Sequence, residues 1–373
     1  CKSIFIVLIV SFILKGKFNF MSDKKTTYRE HTDMENTLKL RQVLATLPPF
    51  CKDYFRAIDT TTTAKTRISY AYDIRIFFQF LLDENPAFKD HAMTDFTVDV
   101  LDQIKAVDLE EYQEYLKLYQ SGDKTETNGE RGLKRKISAL RSFYAYYYKR
   151  EMIHTNPTVL IDVPKIHEKS IIRLDTDEVA MLLDYIEHCG DTLTGQKRVF
   201  YEKTKERDLA IVTLLLGTGI RVSECVGLDI EDVDFKNNGI KVTRKGGNEM
   251  IVYFGEEVEN ALKTYMYTTR RTTLPLPGHE NALFLSTQRK RMGVQAIENM
   301  VKKYAREVTP NKKITPHKLR STYGTSLYKE TGDIYLVADV LGHKDVNTTK
   351  KHYAAIDEDR RRQAANIVKL REV

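Results

Sequence analysis

Two X-Pro steps, Asn156-Pro157 and Val163-Pro164, fall inside a charged stretch from Thr155 to Arg173 and interrupt the helical periodicity of the chain twice. The residue before a proline is pushed out of the α region, and proline itself has no N–H for a helix ladder. The stretch therefore reads as a linker between two domains. Length agrees, because 373 residues exceed what one compact core usually holds. The sequence is read as an N-terminal domain over residues 21–154, a linker over 155–173 and a second domain over 174–373.

Residues 1–20 are set aside from this reading. The apolar run Ile4 to Leu14 follows Lys2, but as a helix it spans only ~16 Å against the ~30 Å of a bilayer core. No small-residue cleavage site follows it, and Met21-Ser-Asp-Lys-Lys reads as an ordinary cytosolic start. The segment is expected to be upstream or disordered sequence, and the protein to be cytoplasmic with no membrane partner.

From Leu38 to about Arg150 the pattern is helical throughout, with segments near Thr63 to Leu82, Asp108 to Tyr119 and Glu130 to Glu151. In the last of these, Leu133, Ile137, Leu140, Tyr144 and Tyr147 recur at three- and four-residue steps and form one apolar stripe. Arg131, Lys134, Arg135 and Arg141 lie off that stripe and are candidate phosphate contacts. A solvated face is the competing reading of the same charges. Thr66, Tyr70, Asp73, Phe77 and Phe80 also keep helical spacing and are assigned to packing.

Past the linker the pattern becomes mixed. Asp175 to His188 reads as a capped helix, with Asp175 at the cap and Glu178 three residues on. Arg207 to Leu216 is apolar enough for a central buried helix. Val233 to Phe235, Ile240 to Thr243 and Met250 to Tyr253 read as short strands separated by Asn237-Asn238-Gly239 and Lys245-Gly246-Gly247-Asn248. Helices follow near Glu256 to Arg270, Gln295 to Glu307, Pro316 to Lys329, Ile334 to Leu341 and Asp357 to Leu370. The expected class is mainly α with a small antiparallel sheet (α+β).

Charge narrows the function. The formal net charge is +7, and the excess is clustered, as in Lys134-Arg135-Lys136, Arg289-Lys290-Arg291 and Lys302-Lys303. A polyanionic partner fits such clusters. The cysteines Cys1, Cys51, Cys189 and Cys225 form no CxxC pair, so neither a zinc cluster nor a disulfide framework is indicated. No GxxxxGK[ST] phosphate loop is present either.

The second half offers, in order, Thr218-Gly219-Ile220-Arg221-Val222-Ser223-Glu224, Lys245 in a glycine turn after Arg244, His317-Lys318-Leu319-Arg320, Leu341-Gly342-His343 and Tyr353. Together these elements resemble the catalytic domain of the tyrosine recombinase, or phage integrase, family, closest in layout to its bacterial Xer-type members. The resemblance runs from about residue 40 to the C-terminus. It implies a helical core-binding domain followed by a catalytic domain, double-stranded DNA as partner, and no metal or other cofactor.

The chemistry gives each residue type a reason. Breaking a phosphodiester concentrates negative charge on the oxygens around a pentavalent phosphorus, which fixed cationic donors stabilise. Guanidinium is planar, permanently charged and able to grip two oxygens at once. By resemblance, Arg221 and Arg320 clamp the scissile phosphate, and Tyr353 is the nucleophile that forms a 3′-phosphotyrosine. The resemblance also makes His317 a proton-transfer group, His343 a hydrogen-bond donor to the phosphate and Lys245 the acid for the departing 5′-oxygen. Glu224, one helical turn past Arg221, is placed to orient it. Arg244 joins the DNA-binding candidates, and Lys241 is the second choice for the hairpin lysine.

Some positions depart from the family pattern. Ser321 stands where many members have a second histidine, the interval from His343 to Tyr353 is one residue longer than in many Xer proteins, and Gly190 to Glu206 is longer than the corresponding connection. The resemblance implies strand exchange between two DNA sites by a tetramer of this chain, or with a related recombinase, in which a C-terminal helix is exchanged between protomers. Type IB topoisomerase-like relaxation and a non-cleaving DNA-binding regulator on the same fold are the alternatives.

Overall fold

The computed structural model describes residues 27–167, 172–244, 247–343 and 346. The chain divides into two compact units at Glu168/Lys169.

The first unit is a helical bundle with one small hairpin. Its helices are α1 (Tyr28–Leu44), α2 (Cys51–Ala57), α3 (Ala64–Glu84), α4 (Val100–Gln103), α5 (Ala106–Tyr115) and α6 (Glu130–Tyr148). Thr63 caps α3, its side chain accepting from the Thr66 N–H at 3.3 Å. The apolar stripe of α6 is buried throughout, Leu133, Ile137, Leu140, Tyr144 and Tyr147 each being at most 5% exposed. It faces Phe77 and Phe78 of α3 in an aromatic core where edge-to-face contacts predominate, such as Phe77 on Tyr144 at 6.5 Å between centroids.

The helix expected to reach Tyr119 ends at Tyr115, and the chain turns into the antiparallel pair β1 (Leu118–Ser121) and β2 (Lys124–Thr127). Local chemistry explains the difference. Gly122-Asp123 supplies a two-residue turn between segments whose Thr and Tyr residues favour extended backbone. Asn128 closes the base of the hairpin by donating to the Leu116 carbonyl at 2.7 Å while accepting from Lys136 Nζ at 2.8 Å. Tyr119 stacks on Tyr115 with centroids 5.4 Å apart. Residues 155–167 pack with this unit, including a 3-10 turn at Pro157–Val159 and buried Ile161.

The second unit is built around α8 (Gly195–Thr218), which runs longer than the buried segment Arg207 to Leu216. The added connection Gly190 to Glu206 supplies its N-terminal half, with Tyr201 buried and donating to the Glu187 carbonyl. Inside the core, Arg207 and Asp208 pair, Arg207 Nη1 donates to the Leu285 carbonyl at 3.0 Å, and the Tyr304 hydroxyl donates to Asp208 at 3.0 Å. Every group of that buried pair is thereby hydrogen-bonded, as burial demands. Around α8 pack α7 (Thr176–His188), α10 (Glu256–Tyr265, continued by a π turn over Met266–Arg270) and α12 (Pro316–Thr331).

Among the described residues, the remaining α-helices of this unit are α9 (Val222–Gly227), α11 (Val294–Val308) and α13 (Ile334–Leu341). A three-stranded antiparallel sheet, β3 (Val233–Asp234), β4 (Gly239–Thr243) and β5 (Glu249–Tyr253), pairs Ile240 with Val252 and Val242 with Met250. This is the mainly α architecture with a small antiparallel sheet that the pattern predicts. The terminal helix expected over Asp357 to Leu370 and the apolar run Ile4 to Leu14 lie outside the described residues. Among the described residues, no helix is long and apolar enough to cross a membrane.

Candidate active site

Helix α8 stops at Gly219, whose φ of +62° only a residue without a Cβ adopts at ease. Space requires glycine here as well, since a Cβ would lie 2.3 Å from Tyr323 Cδ1 and 2.9 Å from Leu341 Cδ2. The reversal at Gly219 puts Arg221 at the N-cap of α9. Glu224, one turn on and 7% exposed, grips that arginine twice: it accepts from the Arg221 backbone N–H at 2.8 Å and from Arg221 Nη1 at 2.7 Å.

Arg320 sits in the second turn of α12 and is 5% exposed. Its Nη1 donates to the Gly219 carbonyl and its Nη2 to the Leu341 carbonyl. Bonds through both Nη atoms fix the plane of the guanidinium. His317, one turn earlier on α12, is exposed, and its carbonyl accepts from Ser321 Oγ at 3.0 Å. Ser321 thus spends its hydroxyl on the helix backbone.

These arginines meet at the end of α13. The last carbonyls of any α-helix lack intrahelical donors and concentrate the negative end of the helix dipole. Here guanidiniums supply the donors: Arg244 to Asp339 at 3.3 Å and Val340 at 2.6 Å, Arg320 to Leu341, and Arg221 Nη2 to Gly342 at 3.3 Å. Gly342 closes the helix at φ +62°, and half-buried His343 follows, its backbone N–H donating to the Ala338 carbonyl at 2.9 Å. Arg221, Glu224, Arg320 and His343 are therefore gathered around one helix terminus, with His317 on the helix that carries Arg320. Lys245 and Tyr353 lie outside the described residues.

The sequence did not reveal which acceptors the arginines use, because these are backbone carbonyls contributed by tertiary packing. The readable signal was Leu341-Gly342-His343, a glycine just past an apolar helix, which marks a C-terminus whose carbonyls need donors.

The basic residues assigned to DNA separate into two groups. Arg131 and Lys134 project from α6 into solvent. Arg135 instead pairs with Asp73, a buried carboxylate that needs a counter-charge, although half of its side chain stays accessible. Arg141 donates to the Thr158 and Ile161 carbonyls at 3.0 and 2.7 Å, satisfying the turn after Asn156-Pro157. Arg244 is likewise engaged inside its own unit, and burial lowers its pKa. Lys241 lies on β4 facing Asp232 and Glu249 at 3.7 and 3.9 Å, away from the turn.

Among the described residues, no group of three or more His, Cys, Asp or Glu side chains could hold a metal ion. A cavity of about 840 Å³ lined by Phe200, Lys203, Tyr265 and Thr269 includes none of the arginines gathered at α13.

Residues 172–360 match the phage integrase family. The tyrosine recombinase XerC of Caldanaerobacter subterraneus subsp. tengcongensis is 31% identical over 328 residues, covering 86% of each chain. The tyrosine recombinase XerS of Lactococcus lactis subsp. cremoris is 28% identical over 351 residues, 88% of this chain and 97% of its own. Among solved structures, the Tn1549 transposon integrase in complex with transposon right-end DNA has a TM-score of 0.60 at 20% identity, covering 84% of this chain and 99% of that one. With a family match over the second unit and a relative of this identity spanning both units, the chain belongs to the phage integrase family, as a tyrosine recombinase of the Xer type.

Proposed function

We propose that this recombinase cuts and rejoins double-stranded DNA at a specific site by transesterification, with Tyr353 as the nucleophile. The observation that carries the reading is that Arg221 and Arg320 donate to consecutive carbonyls, Gly342 and Leu341, so that two guanidiniums are held side by side next to His343.

The reaction then follows from charge and proton balance. The Tyr353 oxygen bonds to phosphorus while the P–O5′ bond breaks, leaving a 3′-phosphotyrosine and a free 5′-hydroxyl. Arg221 and Arg320 take the charge that builds on the non-bridging oxygens. A phenol titrates near ~10 and is a weak nucleophile while protonated, so its proton must pass to a base, the role assigned to His317. His343 donates to the phosphate, and Lys245 gives a proton to the departing 5′-oxygen. The reverse reaction with a 5′-hydroxyl from a second strand completes an exchange. The phosphate ester bond is exchanged rather than hydrolysed, so the scheme needs neither nucleotide hydrolysis nor a metal ion.

Strand exchange needs two DNA sites, which points to a tetramer of this chain or a mixed assembly with a related recombinase. The C-terminal residues Ala364, Ala365, Ile367 and Val368, rimmed by Arg360-Arg361-Arg362, are suited to dock on a neighbouring protomer. Arg131 and Lys134 of the first unit are assigned to DNA phosphates. A cytoplasmic location fits a DNA substrate.

A duplex nicked close to the scissile phosphate tests the chemistry, because the short cleaved flank diffuses away and traps the intermediate. The wild type is expected to give a covalent protein–DNA adduct on a denaturing gel, and Tyr353→Phe none. A bound duplex that never yields an adduct, or an equal yield from Tyr353→Phe, overturns the assignment.

A further inference from the structure

We infer that Arg244 is a positioning residue that fixes the C-terminal turn of α13, and with it His343 and the Gly342 carbonyl that receives Arg221. The inference rests on the cleavage reading above and goes beyond it, because the clamp and proton-transfer roles leave Arg244 no part in the chemistry.

Arg244 directly follows β4, and its backbone closes the hairpin. Its N–H donates to the Asn248 carbonyl at 2.8 Å, and its own carbonyl accepts from the Gly247 N–H at 3.0 Å. The side chain then leaves the sheet for a different element. Nη1 and Nη2 donate to the Asp339 and Val340 carbonyls at 3.3 and 2.6 Å, while Nε is buried with no hydrogen-bond partner among the described residues.

A partly buried cation with an unsatisfied donor is costly to keep. Positioning gives that cost a purpose, because a guanidinium fork spans two adjacent carbonyls in one plane, which a single ammonium cannot do. The fit at Gly342 is equally close: a Cβ there would fall 1.6 Å from Arg244 Nη1, so glycine is needed for the guanidinium to lie where it does. Arg221 donates to the Gly342 carbonyl, so any shift of this turn is felt by a phosphate-clamping residue and by His343 together.

The competing role for Arg244 is a direct DNA phosphate contact, and the two roles predict opposite results. Arg244→Lys and Arg244→Ala are compared with the wild type on the nicked duplex, measuring site affinity over a range of salt and the single-turnover rate of adduct formation at saturating DNA. Positioning predicts unchanged affinity and salt slope in Arg244→Lys, with an adduct rate constant lower by on the order of 100-fold, as for a misplacement of about 1 Å near a reacting centre. Arg244→Ala should show the same loss. Gly342→Ala, which evicts the guanidinium from its seat, should reproduce it, and the double variant should add little.

Thermal melting and the fraction of protein able to react separate this from misfolding, which lowers the amplitude rather than the rate constant. A wild-type rate in Arg244→Lys overturns the inference, as does a salt slope reduced by about 1 in Arg244→Ala with the rate at saturation intact, the signature of a lost phosphate contact. If the wild type itself forms no adduct, the cleavage reading falls and this inference falls with it, whereas an active wild type with an equally active Arg244→Lys removes this inference alone.

Discussion

A buried carboxylate is expected to set the precision of the proposed phosphate clamp. Glu224 holds both the backbone N–H and Nη1 of Arg221, at 2.8 and 2.7 Å. Glu224→Gln keeps the size and an acceptor but removes the charge that makes such bonds strong. We expect roughly a tenfold loss of adduct-forming rate with DNA affinity intact, corresponding to about 1.4 kcal/mol of lost transition-state stabilisation. Single-turnover cleavage of the nicked duplex measures it, and an undiminished rate would mean Arg221 is oriented by Gly342 alone. Arg320→Lys should cost more, because it removes the planar fork that bridges the Gly219 and Leu341 carbonyls as well as the proposed second grip on phosphate. The basic residues of α6 divide by the same logic. Arg131→Ala and Lys134→Ala should each lower the salt slope of DNA binding by about 1. Arg141→Ala should instead lower the melting temperature, because it strands the Thr158 and Ile161 carbonyls. Binding titrations at several salt concentrations, together with melting curves, distinguish the two classes.

Between elements, α3 and α6 meet around a buried acid. Asp73 is 3% exposed, and burial pushes its carboxyl from 3.8 up to about 6 despite the nearby Arg135 and Lys136. Between those values the folded unit holds a proton that the unfolded chain has released, so this group's contribution to stability falls as pH rises through that window. Hydrogen exchange in α3 and α6 should therefore slow on acidification from about pH 6 to about pH 4, after correction for intrinsic exchange, and Asp73→Asn should flatten that trend. Equal pH dependence in both proteins would place the titration elsewhere. Elements were legible in sequence wherever one periodicity prevailed: the α6 stripe and the β4–β5 pair lie within a residue or two of where the pattern puts them. The β1–β2 hairpin was not, because all its side chains but Tyr119 face solvent and leave no apolar alternation to read, only the Ser121-Gly122-Asp123 turn. The N-terminal half of α8 escaped for the same reason, since Gly195 to Glu206 is largely polar and is carried by the buried half that follows. At the site, Arg221 and Arg320, picked out through the family resemblance, both donate to carbonyls at the end of α13, and their role there is the one proposed above. The role inferred for Arg244 depends on a carbonyl acceptor nearly a hundred residues away, which no local pattern encodes.

On the scale of the molecule, two units with separate cores must serve a substrate that is itself extended and charged. Phosphates offer the same contact at every step, so in the proposed reading a basic surface such as that of Arg131 and Lys134 would bring affinity and register, and the arginines at the end of α13 would provide chemistry at a single phosphorus. If two DNA duplexes are joined by a contact between protein copies, as proposed, the segment after Tyr353 has a composition suited to it, with apolar Ala364, Ala365, Ile367 and Val368 following a run of arginines. A protein ending at Ile356 keeps the proposed nucleophile and both clamp arginines. If the segment docks on a neighbour, this truncated protein should bind one site with near-normal affinity yet fail to hold two duplexes together, and its recombination product should vanish while some covalent adduct persists. If the segment folds back on its own unit, truncation should instead lower the melting temperature and weaken binding to a single site, leaving any protein that does bind able to pair sites. Sedimentation of the protein with one-site and two-site DNA, alongside melting curves, discriminates these outcomes, and a truncated protein that pairs two duplexes as well as the full chain would remove the segment from the assembly.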